Sequence, residues 1–113
     1  MNNNIFPCLW CDGDAKESAK FYVDVFGGKI IQNTPMVMNI ELFNQKFMLL
    51  NGGPNFKKNA SISFLVNCNT EDEVLRYWEK FSEGGIVLME LNSYPWSKKY
   101  GWIQDKYGTT WQL

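Results

Sequence analysis

The sequence predicts an α+β protein built from two tandem β-α-β-β-β modules, each a curved, largely antiparallel sheet with a helix on its outer face. Three observations carry this. One order of features (apolar stretch, acidic turn, amphipathic segment, Gly-Gly, apolar stretch) occurs over residues 5–31 and again over 61–88. Both amphipathic segments repeat apolar residues at helical period: Ala15, Ala19, Tyr22 and Phe26 in the first, Val74, Tyr77, Trp78 and Phe81 in the second. After each copy comes a pair of strand-like runs about a turn.

Residues 5–11 form the first strand, because they precede the turn Asp12–Gly13–Asp14. Asp14 with Glu17 reads as an acidic start to the first helix. Thr70 with Glu73 is a T-x-x-E capping box at the start of the second. Paired glycines, Gly27–Gly28 and Gly84–Gly85, stop both helices, since a left-handed residue is cheap there. "MVMNIELFNQKFMLL" reads as two strands about a turn at Asn44–Gln45, and "GWIQDKYGTTWQL" as two about Lys106–Tyr107–Gly108. Overlaid without a gap, Ile40 meets Ile103 and Leu50 meets Leu113. The second copy carries a longer connection, "ELNSYPWSKK", and "LNGGPNFKKN" at 50–59 is the joint between copies. The expected organisation is one domain over 1–113, with modules at about 4–53 and 60–113.

Composition narrows the function classes. A chain of 113 residues, 45% hydrophobic and 16% aromatic, can bury one core. Its net charge of −1, with mixed signs, gives no footprint for nucleic acid or an anionic membrane. No apolar run approaches the roughly 20 residues that span a bilayer. Met1–Asn2–Asn3–Asn4 shows neither the basic residue nor the apolar stretch of a secretory leader, so a cytoplasmic setting is expected. Three cysteines do not make a disulfide framework. The chain has no histidine, the commonest catalytic base and metal ligand.

Cys8–Leu9–Trp10–Cys11 has the C-x-x-C spacing of redox and zinc sites. On a strand, however, residues three apart point to opposite faces. Cys8 and Cys11 therefore can neither bridge nor share a metal while the strand persists. The acidic groups Asp12, Asp14, Glu17 and Glu71, Asp72, Glu73 sit at helix starts, where capping accounts for them. The glycine pairs match neither a P-loop nor a dinucleotide fingerprint. Cys68 stands alone, and Ser61 and Ser63 have no histidine to activate them.

The stretches "PCLWCDGDAKESAKFYVDVFGGKI", "LLNGGPNFKKNASISFLVNC", "YWEKFSEGG" and "GWIQDKYGTTWQL", in this order over nearly the whole chain, resemble the vicinal oxygen chelate superfamily of glyoxalase I, bleomycin-resistance proteins and extradiol dioxygenases. Within it the chain is similar to the PhnB-like branch, the 3-demethylubiquinone-9 3-methyltransferase-like domain. The resemblance implies four metal-ligand positions in metal-dependent members, falling here on Pro7, Leu49, Ser61 and Gln112. None is a His or Glu, so no metal and no other cofactor is expected. The same alignment turns Pro7, Leu9, Cys11, Phe47, Leu49, Asn51, Ser61, Ser63, Leu65, Thr110 and Gln112 towards a concave cavity. Phe6, Cys8, Trp10, Ile62, Phe64, Val66, Trp111 and Leu113 then pack against the helices.

The expected ligand-binding residues are Leu9, Phe47, Leu49, Asn51, Ser61, Ser63, Thr110 and Gln112, with Trp96 and Trp102 from the aromatic-rich second-module connection. That connection reads as a lid, a subunit interface or core. Two functional readings follow. One is a metal-free protein that holds a small, partly apolar molecule; the other is a metal-independent enzyme in which Gln112 and Asn51 orient a substrate. The resemblance also implies a homodimer, and no nucleic-acid or membrane partner is expected.

Overall fold

The structure is a computed structural model in which residues 3–113 are described. Met1 and Asn2, which enter the reading of the N-terminus, lie outside them. The chain divides into two compact units, Met1–Lys58 and Asn59–Leu113. The first runs β1 (Cys8–Cys11), α1 (Ala15–Phe26), β2 (Lys29–Asn33), β3 (Val37–Leu42), β4 (Gln45–Asn51); the second runs β5 (Ser63–Leu65), α2 (Glu71–Ser82), β6 (Ile86–Tyr94), β7 (Ser97–Gln104), β8 (Thr110–Gln112). Each sheet has four strands, in the orders β1-β4-β3-β2 and β5-β8-β7-β6. The first strand of each unit pairs parallel with the last, and the other pairings are antiparallel.

The helices start differently. At α2 both bonds of the capping box are present: Glu73 N donates to Thr70 Oγ1 at 3.2 Å, and Thr70 N donates to Glu73 Oε1 at 3.2 Å. At α1 the Asp14 side chain makes no cap bond. Asn51 at the end of β4 substitutes for it, accepting from Ala15 N at 3.0 Å. Gly27 closes α1 in the left-handed region, φ 73°. The second glycine of each pair serves packing instead. A Cβ at Gly28 would overlap the Glu41 carbonyl, and one at Gly85 would overlap the carbonyls of Phe81 and Gln104. Glu41 and Gln104 are thus equivalent in the two units.

From that anchor the turns diverge. β3 and β4 join through a two-residue turn, Phe43–Asn44, with φ of 51° and 66°, one residue earlier than the sequence suggested. Positive φ at both central residues is the hairpin turn whose twist suits the flanking strands. β7 and β8 instead join through Asp105–Thr109. Buried Asp105 organises that turn: its Oδ1 accepts from Tyr107 N at 2.8 Å and Thr109 N at 3.1 Å. Its Oδ2 accepts from the Trp111 indole at 2.9 Å. Trp111 stacks on Phe81 of α2, with ring centroids 5.2 Å apart and planes 10° apart, and touches Phe64 of β5.

The second connection also departs from expectation. Residues 90–99 do not form a loop: they extend β6 and β7 into a long hairpin with Pro95–Trp96 at its tip. Tyr94 pairs with Ser97, so the turn holds two residues, and proline's fixed φ suits its first position.

Asp105→Ala should lower stability by about 2–4 kcal/mol, because it strips acceptors from two backbone amides and a buried indole. Urea unfolding followed by tryptophan emission checks this. A loss below about 1 kcal/mol would show that the turn holds its register without the carboxylate.

Candidate functional site

In each unit one sheet face meets the helix and the other is open. In the first unit the helix side carries Leu9, Cys11, Met38, Ile40, Leu42, Phe47 and Leu49, all buried. Cys11 Sγ lies 4.0 Å from Ser18 Oγ on α1, which fixes the side. The open side holds Cys8, Trp10, Asn39, Lys46, Met48 and Leu50. This reverses the expectation for these strands. Leu9, Phe47 and Leu49 are core under α1 rather than cavity wall, and Trp10 and Cys8 do not face the helix.

The cause is one residue of turn. With Glu41 equivalent to Gln104, the pairings Ile40–Phe47 and Ile103–Trp111 make Phe47 match Trp111. The two-residue turn is therefore one residue too short for a gapless overlay, and a one-residue shift exchanges the faces of a strand. Carried through the parallel ladders, Met48 matches Gln112 and Cys8 matches Leu65, which places Phe6 against Ser63.

The open side of the first unit is also partly occupied by its own chain. The Trp10 indole donates to Gly53 O at 2.9 Å and meets Phe56 edge-on at 5.2 Å. The Lys58 ammonium donates to the Trp10 carbonyl. Asn51 is taken up structurally, holding the start of α1 with Oδ1 and donating through Nδ2 to Pro35 O at 3.0 Å.

The second unit follows expectation more closely. Ser63, Leu65 and Gln112 lie away from α2, whereas Phe64 and Trp111 lie against it. Ser61, however, precedes β5 in an exposed turn, and Ile62 is exposed rather than packed on the helix. Thr110 is fully buried and donates to Ile62 O at 2.8 Å. At the centre of the open side runs a neutral chain of hydrogen bonds. Tyr100 donates to Gln112 Oε1 at 2.6 Å, and Gln112 Nε2 donates to Ser63 Oγ at 2.6 Å. Trp102 pairs with Gln112 across β7 and β8, and its indole N–H is buried without a partner.

Beyond the end of β8 lies a cavity of about 330 Å³, bounded by the segment after β5, by Val74 of α2 and by the start of β7. Gln112, Tyr100, Trp96 and Lys99 line it. Tyr94, Trp96 and Tyr100 form an aromatic group there: Tyr94 stacks on Trp96 at 5.1 Å, and Tyr100 meets each of them edge-on. Trp96 keeps 61% of its surface exposed. Of the expected binding residues, the structure thus brings together Ser63, Gln112, Trp96 and, beside them, Trp102. Sequence reasoning set neither Tyr100 nor Lys99 among the binding residues: Tyr100 reads with Tyr94, Trp96 and Trp102 as lid, interface or core, and Lys98–Lys99 as a solvated charge pair in a loop. The signal for both was the Tyr-Pro-Trp-Ser turn, which makes the connection a hairpin and sets β7 running from Ser97.

A family model described as 3-demethylubiquinone-9 3-methyltransferase matches residues 3–113. The chain belongs to this family. A Bacillus cereus PhnB protein of the same description is 34% identical, with 98% of each chain covered and a TM-score of 0.90. A glyoxalase-related enzyme from Fulvimarina pelagi is 21% identical, with 98% of this chain and 86% of that one covered and a TM-score of 0.75, a likeness of fold. A 47-residue stretch is 45% identical to part of the hexagonally packed intermediate-layer surface protein of Deinococcus radiodurans. That match takes in 42% of this chain and only 5% of the surface protein.

The open-face positions nearest those implied by the superfamily are Phe6, Met48, Ser63 and Gln112. They do not fit a transition metal. A phenyl ring offers no donor, a thioether is a weak and soft one, and both ends of the Gln112 amide are already bonded. Among the described residues no three His, Cys, Asp or Glu side chains gather as a metal site. Nor, among them, is any helix long and apolar enough to cross a membrane.

Cys8 is exposed, Cys11 is buried, and all three thiols are free. Loss of surrounding water pushes each above the usual thiol value of 9.0, at exposed Cys8 through partial cover only; at Cys11 the Lys58 ammonium opposes this, and at Cys68 Glu73 adds to it. Burial likewise raises Tyr100 above 10.0, with Tyr94 contributing, so its hydroxyl remains a donor to Gln112. Groups raised in the folded state favour its neutral form. Their stabilisation is complete below the unfolded values and is lost as pH climbs through the folded ones. Stability should hold near neutrality and fall above about pH 9, checked by urea midpoints from pH 7 to 11. Thiol counting in denaturant should give three groups per chain, and a count of one would reveal a bridge.

Proposed function

We propose that this chain is a small-molecule-binding protein that holds a partly apolar ligand at the second unit's open face and adjoining cavity, without a transition metal of its own. The observation that carries the reading is the Ser63–Gln112–Tyr100 chain opening on that cavity. Small neutral hydrogen-bonding groups beside aromatic and aliphatic walls are the usual make-up of a ligand site, and the volume falls in the lower part of its range.

Binding is favoured over catalysis by the donor inventory. No carboxylate side chain and no imidazole lines the cavity, and the one thiol there, Cys68, is held protonated by burial. Proton transfer needs a group that exchanges its proton near working pH, and covalent catalysis needs an activated nucleophile. Neither is at hand. The proposal includes a homodimer in a reducing compartment. Three free thiols support the compartment. The β6 edge, with Ile86, Val87 and Leu88 exposed, supports pairing with a second copy.

Mass spectrometry of small molecules released from the purified protein should find one organic species in stoichiometric amount, or a ligand screen should find one that saturates. Trp96→Ala should weaken that binding by about tenfold while leaving the melting temperature nearly unchanged, because the exposed tip residue contributes stacking area. Elemental analysis after dialysis that found one tightly held zinc, nickel or iron per chain would overturn the metal-free part.

A further inference from the structure

The cavity beyond β8 has a definite charge. Among its lining residues Lys99 alone has a charged side chain. Among the described residues Lys99 forms no ion pair, and its backbone N–H and carbonyl exchange hydrogen bonds with the Ser97 hydroxyl. Lys99 is half-buried, and the other polar side chains of the lining are amides, hydroxyls and the Cys68 thiol. A lone cation in partly desolvated surroundings favours an anion, since a charge-assisted bond replaces lost hydration.

The rest of the lining describes the body attached to that anion. Tyr94 covers one face of Trp96, yet most of the Trp96 surface stays accessible, which leaves room for a second ring. Leu65, Val66 and Val74 supply aliphatic wall, and Gln112 and Asn67 supply amides. About 330 Å³ suits a one-ring molecule with a short side chain.

Resting on the small-molecule reading above, we infer that the ligand is a small aromatic carboxylate of benzoate-to-cinnamate size. Its carboxylate pairs with Lys99 and its ring lies against Trp96. A single ammonium matches a single negative charge, which separates this class from diphosphates and polyanions.

The test titrates full-length protein with benzoate and cinnamate and with the neutral amides of both, read by tryptophan fluorescence and calorimetry. Each acid should bind about tenfold or more tightly than its amide, a difference that Lys99→Met should abolish by weakening the acid while sparing the amide. Added salt should weaken the acid alone. Equal binding of acid and amide, or acid binding unchanged in Lys99→Met, would overturn the anionic class and leave the small-molecule reading intact. If neither acid nor amide binds while another species co-purifies, the class is wrong. If nothing binds and nothing co-purifies, the reading beneath it fails as well. A circular-dichroism melt of Lys99→Met that matches the parent ties any loss of acid binding to the missing ammonium.

Discussion

The second unit depends on where the Asp105 carboxylate points. Buried, it accepts from two amides of its own turn and from the Trp111 indole. The turn is thereby fixed at five residues and β8 enters in one register only. Trp111 then lies flat on Phe81 under α2, and pleat alternation puts Gln112 on the other side, between Tyr100 and Ser63. One buried anion couples the helix-packed core to the open face. It is tolerated because donors surround its oxygens.

Much of this was legible in the sequence. Repeat order, helix stripes, paired glycines and the Thr70–Glu73 box all reflect local physics that one stretch of chain carries by itself. The faces of β8 were legible too, since Trp111 and Leu113 alternate with Thr110 and Gln112. The first unit was misread because its β1 and β4 are apolar on both faces. Met48 and Leu50 look as core-like as Phe47 and Leu49, so only the turn length distinguishes them, and Phe43–Asn44 lacks the glycine that usually announces a two-residue hairpin. The connection at 90–99 was misread for a related reason. Asn92, Ser93, Lys98 and Lys99 suggest a loop, whereas a hairpin that extends past its sheet is polar because it is solvated, and its pairing is written only in Tyr94–Pro95–Trp96–Ser97.

The two units, alike in strand order, are therefore unequal in their open faces. In the first unit Trp10, on the open side, is wrapped by residues 52–58 through Gly53, Phe56 and Lys58, so the chain spends that surface on itself. In the second unit the corresponding area is left to Gln112, Trp102 and the aromatic hairpin. Phe6 and Met48 match Ser63 and Gln112 position for position, yet the first pair is apolar and the second is polar. The family architecture supplies equivalent positions, and the side chains decide what each module leaves open.

The unlike starts of the two helices bear on the order in which the units assemble. α2 carries both halves of its cap within four residues, so it can begin from local sequence alone. α1 takes its cap from Asn51, 36 positions along the chain, and its first free amide is satisfied only once β4 has arrived. Closing so long a loop costs chain entropy before any bond rewards it. Although the chain is made from its N-terminus, the helix made first is the one that must wait, and the later module holds the more self-sufficient nucleus.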